Sequence, residues 1–422
     1  MNRYKPEDLI VIIPVGGEAK RLKPLTVGSC KACVRILNRA LIEISMSILA
    51  QQGVKNFIFG IKGFLNYKDI FDHFKEGIGF SSRYKITPRI HIKYSPNVDD
   101  VGSADSARII MEYYNIKRPI LVIQGDNITD VDLPELLEFH YQKKAFATIG
   151  LKSVENIEGY GVAETNNNMK LSRFVEKPSK ENAPSNLINT GLYFFDPAVR
   201  QVFNEAGVQE KIHTTKRLDF GYDLIPYIVE SKRHVYGFPL KNMWFDIGDP
   251  QRYLEAMDSI LHGQLKHLPD FGGRISPGET VWVQGASPEA IKRRNAIIEK
   301  IRQNEVQIEG AVLIGRHSHI EKQVKIRDST IDNFSFIGRN SRISKTSIMD
   351  RVRINEDVKI QDSIIGRHVT IGKSSKIISS VLADNVHVGK KCVLQNIKVY
   401  PHLEIPDNRK YSNKILIEKK EV

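Results

Sequence analysis

Over the first 262 residues, short apolar runs alternate with amphipathic segments, a pattern typical of strands that alternate with helices. Strands are predicted at residues 9–15, 57–61, 90–94 and 120–124. Helices are predicted at residues 41–52, 67–74, 104–114 and 133–142. Residues 145–247 are richer in strand patterns, with helices expected near 222–230 and 250–261. This alternation predicts an α/β domain with a mixed, mostly parallel sheet covered by helices on both faces.

From Ile314 onward the aliphatic positions repeat at a fixed period along the chain. The first column holds Ile314, Ile331, Ile348, Ile365, Leu382 and Val399, each 17 positions after the one before. Two further columns begin at Ile320 and Ile326, so the steps within each repeat are 6, 6 and 5. Each step predicts a short strand with a turn, and three steps predict one triangular coil that stacks its aliphatic side chains inside. The repeat therefore predicts a hexapeptide-repeat β-helix of about five coils.

Glycine and proline residues interrupt residues 263–288, which indicates a linker. Ser287 and Pro288 form an N-cap and first-turn pair for a basic helix at about residues 289–303. We therefore expect an α/β domain at residues 1–262, a linker with a basic helix at 263–304, and a β-helix domain at 305–422.

The composition is that of a globular protein, with 41% hydrophobic and 26% charged residues. Charged residues before the first apolar run argue against a signal peptide, and no apolar stretch approaches the roughly 20 residues of a membrane span. Three cysteines do not form a disulfide framework. We therefore expect a cytoplasmic protein without a membrane partner.

The net charge of +13 is concentrated in the C-terminal part of the chain. Residues 264–422 contain 28 Lys and Arg against 18 Asp and Glu, a balance of +10, whereas the first 263 residues contain 34 against 31. An anionic partner would fit this excess. The cations alternate with aliphatic residues and do not cluster with aromatic ones, so we expect a solvated outer face and no nucleic-acid binding.

Five pieces of sequence carry candidate chemistry. Gly16 and Gly17 end a buried strand and precede Arg21, an arrangement compatible with a phosphate-binding loop or with a plain turn. Asp126 follows a strand, where a carboxylate binds a hard cation or serves as a cap or turn residue. Asp246 stands amid apolar residues, so it needs a partner such as a metal ion, or it caps the helix from about residue 250.

The remaining candidates lie at strand ends and beside two cysteines. Glu176 and Lys177 precede Pro178, so they are either a ligand-binding pair or two solvated charges. Cys30 and Cys33 flank Lys31, but one such pair supplies only two of the four ligands of a structural zinc. A metal or redox role for these cysteines is therefore not favoured.

Taken in order, these pieces resemble the sugar-1-phosphate nucleotidyltransferases, also called NDP-sugar pyrophosphorylases. The matching motifs are Gly16-Gly17 with Arg21 to Thr26, Lys31, Gly102-Ser103-Ala104, Gly125-Asp126, Glu176-Lys177-Pro178, Asn189-Thr190-Gly191 and Trp244 to Gly248. Many members also carry a C-terminal left-handed β-helix, so the resemblance implies a Rossmann-like nucleotidyltransferase domain followed by that fold. Two departures are Ala19-Lys20 in the loop and Cys30-Lys31-Ala32 around the catalytic lysine.

The resemblance implies a role for each matching residue. Asp126 and Asp246 would bind Mg²⁺, and Arg21 and Lys31 would hold the leaving pyrophosphate. Lys177 would neutralise the attacking sugar phosphate. The nucleotide site would include Gly16, Gly17, Arg21, Gly102 and Asp126, and the sugar site would include Gly161, Glu176 and Asn189.

The implied substrates are an NTP and a hexose-1-phosphate, and the β-helix is expected to mediate a homo-oligomer. Guanine with mannose, and thymine or uracil with glucose, all remain open. One alternative is a non-catalytic regulatory paralogue that binds an NDP-sugar. A second is a bifunctional enzyme whose β-helix adds acyl transfer, with His317, His319, His368 or His387 as the base.

Overall fold

The computed structural model describes residues 3–17, 19–97 and 99–417, which form two compact units. The first unit comprises residues up to 17, 42–244 and 267–269. The second comprises residues 18–41, 245–266 and those from 270 onward. Each unit thus contains segments from distant parts of the chain.

The first unit is built on a mixed nine-stranded sheet. Its parallel part consists of Ile120–Val122, Ile10–Val15, Asn56–Ile61 and His91–Pro96 in that spatial order. Antiparallel pairing adds Leu187–Phe195, which in turn pairs with Gly161–Thr165 and Ala147–Ser153. The outer strands are Leu171–Glu176 and Val235–Pro239. The predicted α/β class and mixed sheet are confirmed.

The helices of the first unit follow the predicted alternation with some shifts. The α-helices are Leu41–Gln51, Phe64–Phe74, Ile78–Tyr84, Ser103–Tyr113, Leu133–Gln142, Val199–Val202, Ala206–Thr215 and Ile225–Glu230. The short helix Ile78–Tyr84 was not predicted, and the helix predicted from residue 67 begins at Phe64. Phe220–Leu224 forms a π-helical turn directly before Ile225–Glu230. Such turns occur frequently at functional sites.

The second unit contains the predicted β-helix. Its strands are Val306–Ile314, His319–Ile320, Val324–Ile331, Phe336–Ile337, Arg342–Ser344, Ser347–Ile348, Arg353–Ile354, Lys359–Gln361, Ile364–Ile365, Thr370–Ile371, Lys376–Ile378, Val381–Leu382, His387–Val388, Val393–Val399, Glu404–Ile405 and Lys410–Leu416. Parallel pairing joins each strand to its equivalent one repeat later over most of the solenoid, as in Ile337 with Ile354. The aliphatic columns are buried and form one continuous core.

The solenoid is one coil longer than the sequence analysis predicted. One of its sheets has six strands in succession, ending at Glu404–Ile405. Ile405 and Leu416 continue two of the columns, but Tyr411 replaces the aliphatic residue of the third and packs against the core as a partly buried ring. The aromatic substitution hid the last coil from a search for aliphatic repeats.

Segments outside the repeats pack onto the solenoid within the second unit. Arg35, which lies in the two-residue strand Arg35–Ile36, donates from Nη2 to Asp332 Oδ1 at 3.0 Å. The hydroxyl of Tyr253, on helix Pro250–Leu261, bonds to the Arg35 carbonyl and to Ser347 Oγ. These contacts attach residues 18–41 and 245–266 to the β-helix.

The remaining elements of the second unit are short, apart from one helix. They are the 3₁₀ turns Lys20–Leu22 and Lys31–Cys33, and the strands Arg39–Ala40, Trp244–Asp246 (its first residue in the first unit) and Val281–Val283. Helix Pro288–Arg302 begins after Ser287, whose Oγ accepts from the Ala290 amide, so the predicted cap is confirmed. Across the described ranges no helix is both long enough and apolar enough to cross a bilayer.

Candidate active site

Gly16 and Gly17 follow strand Ile10–Val15, as the sequence predicted. A Cβ on Gly16 would lie 3.1 Å from Lys62 Cβ, whereas nothing lies within 4 Å of the corresponding position on Gly17. Lys62 Nζ donates to the Asp100 carbonyl at 2.6 Å and lies 3.4 Å from Asp100 Oδ1. The aliphatic part of Lys62 therefore lies beside Gly16 while its ammonium pairs with Asp100, and the open space at Gly17 is compatible with a phosphate group.

Gly102 precedes helix Ser103–Tyr113 and is packed tightly. A Cβ there would lie 2.7 Å from the Leu218 carbonyl oxygen, so no larger residue fits without a backbone shift. Asp219 Oδ1 accepts from the Ser103 amide at 2.9 Å and from the Ser103 hydroxyl at 3.0 Å. The glycine is needed for this packing, and its predicted contact with a nucleotide stays a prediction.

Asp126 lies half-buried in the turn between strands Ile120–Val122 and Asn127–Thr129. The next residue, Asn127, donates from Nδ2 to the Thr190 carbonyl at 3.0 Å. Trp244 Nε1 donates to the same carbonyl at 2.9 Å. These bonds fix the turn carrying Asp126 beside the strand that carries Asn189.

Glu176 lies in a narrow space between two glycines. Its strand pairs with Gly161–Thr165 so that Glu176 is opposite Gly161. A Cβ on Gly161 would overlap Glu176 Oε2, and one on Gly221 would lie 2.7 Å from Glu176 Cδ. The two glycines therefore give the carboxylate room and restrict where it can move. The structure brings Gly161 and Glu176 together, as expected for one sugar site.

Burial raises the pKa of Glu176, and the negative charge of Asp219 adds to this effect while Lys177 opposes it. Lys177 has a left-handed backbone with φ of +49°, a conformation that is uncommon for residues other than glycine. Its Nζ lies 3.9 Å from Glu176 Oε1 and 5.4 Å from the centre of the Tyr222 ring. Arg217 lies over the same ring at 4.6 Å. The strand end therefore presents two cations around one aromatic side chain.

Asn189 contacts a buried tyrosine in the same unit. Its Nδ2 donates to the Tyr193 hydroxyl at 2.8 Å, and its Oδ1 accepts from the Gly191 amide at 3.0 Å. Burial raises the pKa of Tyr193, whose hydroxyl interacts with Gln124 and senses the charge of Glu176. Asn189 thus bonds to a phenol whose pKa the charge of Glu176 also raises.

In the second unit, Arg21 and Asp246 meet at Gly248. A Cβ on Gly248 would lie 3.0 Å from Arg21 Nη2 and 3.4 Å from Asp246 Oδ2, so glycine permits this approach. Asp246 Oδ2 accepts from Arg252 Nη1 at 2.8 Å. The cap of helix Pro250–Leu261 is instead Asp249, whose Oδ1 accepts from the Arg252 amide at 3.0 Å. Asp246 is therefore not a helix cap.

Lys31 is half-buried on the 3₁₀ turn Lys31–Cys33. The flanking Cys30 is buried and Cys33 is partly buried. Within the described ranges, the only group of three or more His, Cys, Asp or Glu side chains with metal-binding spacing is Asp258, His262 and Asp328, which includes neither cysteine. The structure thus provides no reason to assign these cysteines to a metal.

The sequence analysis missed Gln124, Tyr193, Gly221 and Tyr222. Gln124 directly precedes the Gly125-Asp126 motif, and Tyr193 closely follows the Asn189-Thr190-Gly191 motif. Proximity to a motif was therefore a usable signal. Gly221 and Tyr222 lie in the π-helical turn, which apolar periodicity does not distinguish from an ordinary helix. Only the fold brings that turn to Glu176.

Two family profiles match the chain. The profile of the nucleotidyl transferase family matches residues 10–263, which is more than half of the chain. The chain belongs to the nucleotidyl transferase family. The profile described as the GMPPB C-terminal domain matches residues 308–416, which coincide with the solenoid. The expected family, with a nucleotidyltransferase domain followed by a β-helix, is confirmed.

Curated relatives extend the similarity at modest identity. A UTP–glucose-1-phosphate uridylyltransferase of Synechocystis sp. is 28% identical over 355 residues, 82% of either chain. A putative mannose-1-phosphate guanyltransferase of Sulfolobus acidocaldarius is 27% identical over 59% of this chain and 62% of its own. A glucose-1-phosphate adenylyltransferase of Bacillus cytotoxicus is 24% identical over 82% of this chain and 92% of its own. The names of these three relatives refer to three different nucleotide bases, namely uracil, guanine and adenine.

Proposed function

We propose that this nucleotidyltransferase transfers a nucleotidyl group from an NTP to a hexose-1-phosphate and releases pyrophosphate. An oxygen of the sugar phosphate forms a bond to the α-phosphorus of the NTP, and the bond between that phosphorus and the bridging oxygen of the β-phosphate breaks. The attacking phosphate is already ionised, so no side chain has to act as nucleophile or general base. The protein must instead align two anions and neutralise their repulsion.

The observation that carries this proposal is the position of Glu176 and Lys177. The carboxylate lies between Gly161 and Gly221, where it can accept hydrogen bonds from sugar hydroxyls, and the adjacent Lys177 can bind the phosphate on the same sugar. Asn189 and the Tyr193 hydroxyl supply further polar groups nearby. A sugar phosphate would fit this pair, because the carboxylate can accept hydrogen bonds from the hydroxyls and the lysine can bind the phosphate.

The phosphate groups of the NTP are assigned to Gly16, Gly17, Arg21 and Lys31. Arg21 carries a planar guanidinium that can bind phosphate in a bidentate manner. Lys20, which replaces the usual small polar residue of the loop, adds a second exposed cation there. Gly102 and Asp126 are assigned to the nucleotide as well. The adenylyl, guanylyl and uridylyl relatives leave the base open.

Members of this family generally use a divalent metal ion, and we propose Mg²⁺ with Asp126 and Asp246 as its ligands. Both side chains offer carboxylate oxygens, the donor type that Mg²⁺ prefers, and one or two carboxylates suffice when substrate phosphates and water complete the coordination. When bound, the ion would withdraw charge from the nucleotide phosphates. Arg252 already pairs with Asp246 and would keep that carboxylate oriented.

The non-catalytic alternative, in which the chain binds an NDP-sugar without turnover, is distinguished by the assay described next. The acyl-transfer alternative has little support from the structure. His317 stacks on Phe334 at 4.8 Å and His319 stacks on Phe336 at 5.4 Å, so two of the four candidate bases have ring faces covered by a neighbouring coil. The coils that carry these histidines also follow one another in strict register, with no inserted loop that would build an acyl-acceptor site. We assign these histidines to packing of the solenoid.

The test is a pyrophosphate-release assay over four NTPs and several hexose-1-phosphates, with and without Mg²⁺. We expect one strongly preferred pairing and dependence on the ion. Asp126→Asn and Asp246→Asn should each lower kcat by at least about 100-fold, because a lost metal ligand removes several kcal/mol of transition-state stabilisation. Asp258→Asn, which removes a carboxylate from the group of Asp258, His262 and Asp328, is the matched control. Binding of an NDP-sugar without turnover for any pairing would support the regulatory alternative instead.

We also propose that the chain forms a homo-oligomer through its β-helix. The solenoid offers end coils and sheet faces as packing surfaces. Light scattering on the full chain tests this proposal, and a monomer at micromolar concentration would contradict it.

A further inference from the structure

Two of the cations assigned to the triphosphate lie on a segment that packs with the solenoid. Arg21 and Lys31 fall within residues 19–41, which belong to the same compact unit as the β-helix. Residues 35–40 form a hairpin in which Arg35 pairs with Ala40. We call residues 19–41 the phosphate segment and residues 35–40 its hairpin. The contacts of the hairpin therefore influence where the two cations lie.

The hairpin has a backbone conformation that its sequence does not favour. Its two central residues, Leu37 and Asn38, have φ angles of +54° and +62°. Two-residue turns with positive φ favour asparagine and glycine, whereas a leucine Cβ lies too close to the backbone in this conformation. Leu37 is nevertheless buried, with 1% of its surface exposed. Such a conformation persists only where surrounding contacts hold it, and it is found preferentially at functional sites.

The solenoid supplies part of these contacts. Arg35 donates to both carboxylate oxygens of Asp332, from Nε to Oδ2 and from Nη2 to Oδ1, the latter at 3.0 Å. Asp332 is 2% exposed, and burial raises its pKa while Arg35 opposes that rise. Asn38 Nδ2 also donates to the Ile331 carbonyl at 3.4 Å. The bidentate pair fixes both the distance and the orientation of the hairpin on the solenoid.

The hydroxyl of Tyr253 lies where three segments meet. It bonds to the Arg35 carbonyl in the hairpin, and it lies 2.8 Å from Ser347 Oγ in the solenoid. A hydroxyl has one proton and a carbonyl can only accept, so Tyr253 donates to Arg35 and accepts from Ser347. Tyr253 itself is buried on helix Pro250–Leu261. One phenol therefore joins the phosphate segment, the solenoid and this helix.

The same helix also orients Asp246. Arg252, the neighbour of Tyr253, donates from Nη1 to Asp246 Oδ2 at 2.8 Å. Arg21 Nη2 and Asp246 Oδ2 lie 3.0 and 3.4 Å from the position that a Cβ on Gly248 would take. Arg21 belongs to the phosphate segment and Asp246 precedes the helix, so their separation depends on how segment and helix are joined. The Tyr253 hydroxyl is one such joint.

We propose that Tyr253 is a positioning residue, whose hydroxyl holds the phosphate segment so that Arg21 and Lys31 are placed to bind the triphosphate. This inference rests on the proposed function, because it takes both cations as ligands of the NTP. Without the hydroxyl, the segment occupies other positions for part of the time, and the NTP binds only the competent fraction. The apparent Kd rises as the inverse of that fraction, so a competent fraction of about one fifth weakens binding about fivefold.

A role in packing alone would have a different kinetic signature. Loss of stability reduces the fraction of folded enzyme, which lowers the apparent kcat and leaves the KM of each substrate unchanged. Loss of positioning instead raises KM for the NTP and leaves kcat near normal at saturating NTP, because the bound NTP selects the competent arrangement. KM for the hexose-1-phosphate stays the same in both cases, since that substrate is assigned to other residues.

The experiment compares the full-length chain with its Tyr253→Phe variant, which lacks the hydroxyl and keeps the ring. We expect Kd for the preferred NTP by calorimetry, and KM for the same NTP, to rise at least fivefold, with kcat and KM for the hexose-1-phosphate within twofold. Tyr114→Phe is the matched control, because the Tyr114 hydroxyl also donates to a backbone carbonyl, that of Tyr94 at 3.0 Å in the first unit. Unchanged NTP affinity in Tyr253→Phe, or an equal loss in Tyr114→Phe, would overturn the inference.

The calorimetry also distinguishes failure of this inference from failure of the proposed function. If the unaltered chain binds no NTP of any base, the proposed function is wrong and the inference falls with it. If the unaltered chain binds an NTP and Tyr253→Phe binds it equally well, only the role of Tyr253 is wrong.

Hydrogen exchange tests the positioning step without any substrate. Peptides that cover residues 31–41 should exchange their amide hydrogens at least fivefold faster in Tyr253→Phe, because the hairpin has lost one of its attachments. Peptides that cover residues 353–399 of the solenoid should exchange as in the unaltered chain. Unchanged exchange in residues 31–41, or faster exchange throughout the solenoid, would overturn the inference.

Ser347→Ala provides a second variant if Tyr253→Phe does not fold. It keeps the phenol and its bond to Arg35 but removes the hydroxyl that donates to Tyr253 from the solenoid. We expect Kd for the NTP to rise at least threefold with kcat within twofold. A lower kcat with unchanged KM for both substrates would indicate a loss of stability alone and would overturn the inference.

Discussion

Gly221→Ala should disable sugar-phosphate recognition without unfolding the protein. A Cβ at residue 221 would overlap Glu176 Oε2 and lie 2.7 Å from Glu176 Cδ, and the three nearest atoms all belong to that one side chain. Relief of this overlap requires the carboxylate to move by about 1 Å, a displacement that can cost about 100-fold in rate. This corresponds to about 2.7 kcal/mol of lost transition-state stabilisation.

The assay is the dependence of pyrophosphate release on hexose-1-phosphate concentration at saturating NTP. We expect kcat/KM for the sugar phosphate to fall by about 100-fold and the KM for the NTP to change little. Gly79→Ala is the control, because Gly79 also lies in a helical segment and has nothing within 4 Å of its Cβ position. A double-mutant cycle completes the argument, since Gly221→Ala should cost nothing further when Glu176 is already alanine. Normal kcat/KM in Gly221→Ala, or an undiminished loss in the Glu176→Ala background, would refute the role assigned to the carboxylate.

Three further outcomes follow from other contacts. Lys177→Met should raise KM for the hexose-1-phosphate by at least tenfold while calorimetry finds NTP affinity unchanged; a collapse of NTP binding would move Lys177 to the triphosphate. Arg35→Met leaves the buried carboxylate of Asp332 without its cation and should lower the free energy of unfolding in urea by about 3–5 kcal/mol, whereas a change below about 1 kcal/mol would mean that the pair is not needed. Burial alone would raise the pKa of Glu43, but its hydrogen-bonding and cationic neighbours lower it well below the usual range, so its stabilising effect is present at neutral pH and is lost as the pH falls below about 4.5. Thermal unfolding of Glu43→Gln should therefore depend less on pH in that range than unfolding of the wild type, and parallel curves would contradict this account.

The regular parts of the fold could be predicted from the sequence because their periods are short and repeated. The constant spacing of the aliphatic columns specified the solenoid from Ile314 to Val399, since every column position needs an aliphatic side chain. The search for aliphatic residues at this spacing missed the last coil, because the partly buried ring of Tyr411 occupies a column position there. The alternation of apolar runs and amphipathic segments likewise indicated the α/β class, because buried parallel strands and their helices have different periods.

The candidate site was only partly predictable, because its residues come from separate segments. Glu176 and Asn189 were found as motif members, but the contact of Gly221 with the Glu176 carboxylate depends on how the π-helical turn packs on that strand. Asp246 was expected to need a partner, and pattern alone did not reveal that Arg252, in the following helix, supplies one. Local spacing identifies which residue types are present, and the fold decides which of them meet.

Because successive repeats pair in register, the solenoid can be lengthened or shortened only by whole coils. Deletion of one complete repeat, such as residues 350–366, would join equivalent points of two coils, so every remaining strand would keep its register and its buried face. A deletion longer or shorter by a single residue would shift the following strands by one position and turn their aliphatic side chains outward. Insertions and deletions that this protein tolerates in the solenoid should therefore be whole repeats of 17 residues or multiples of that length.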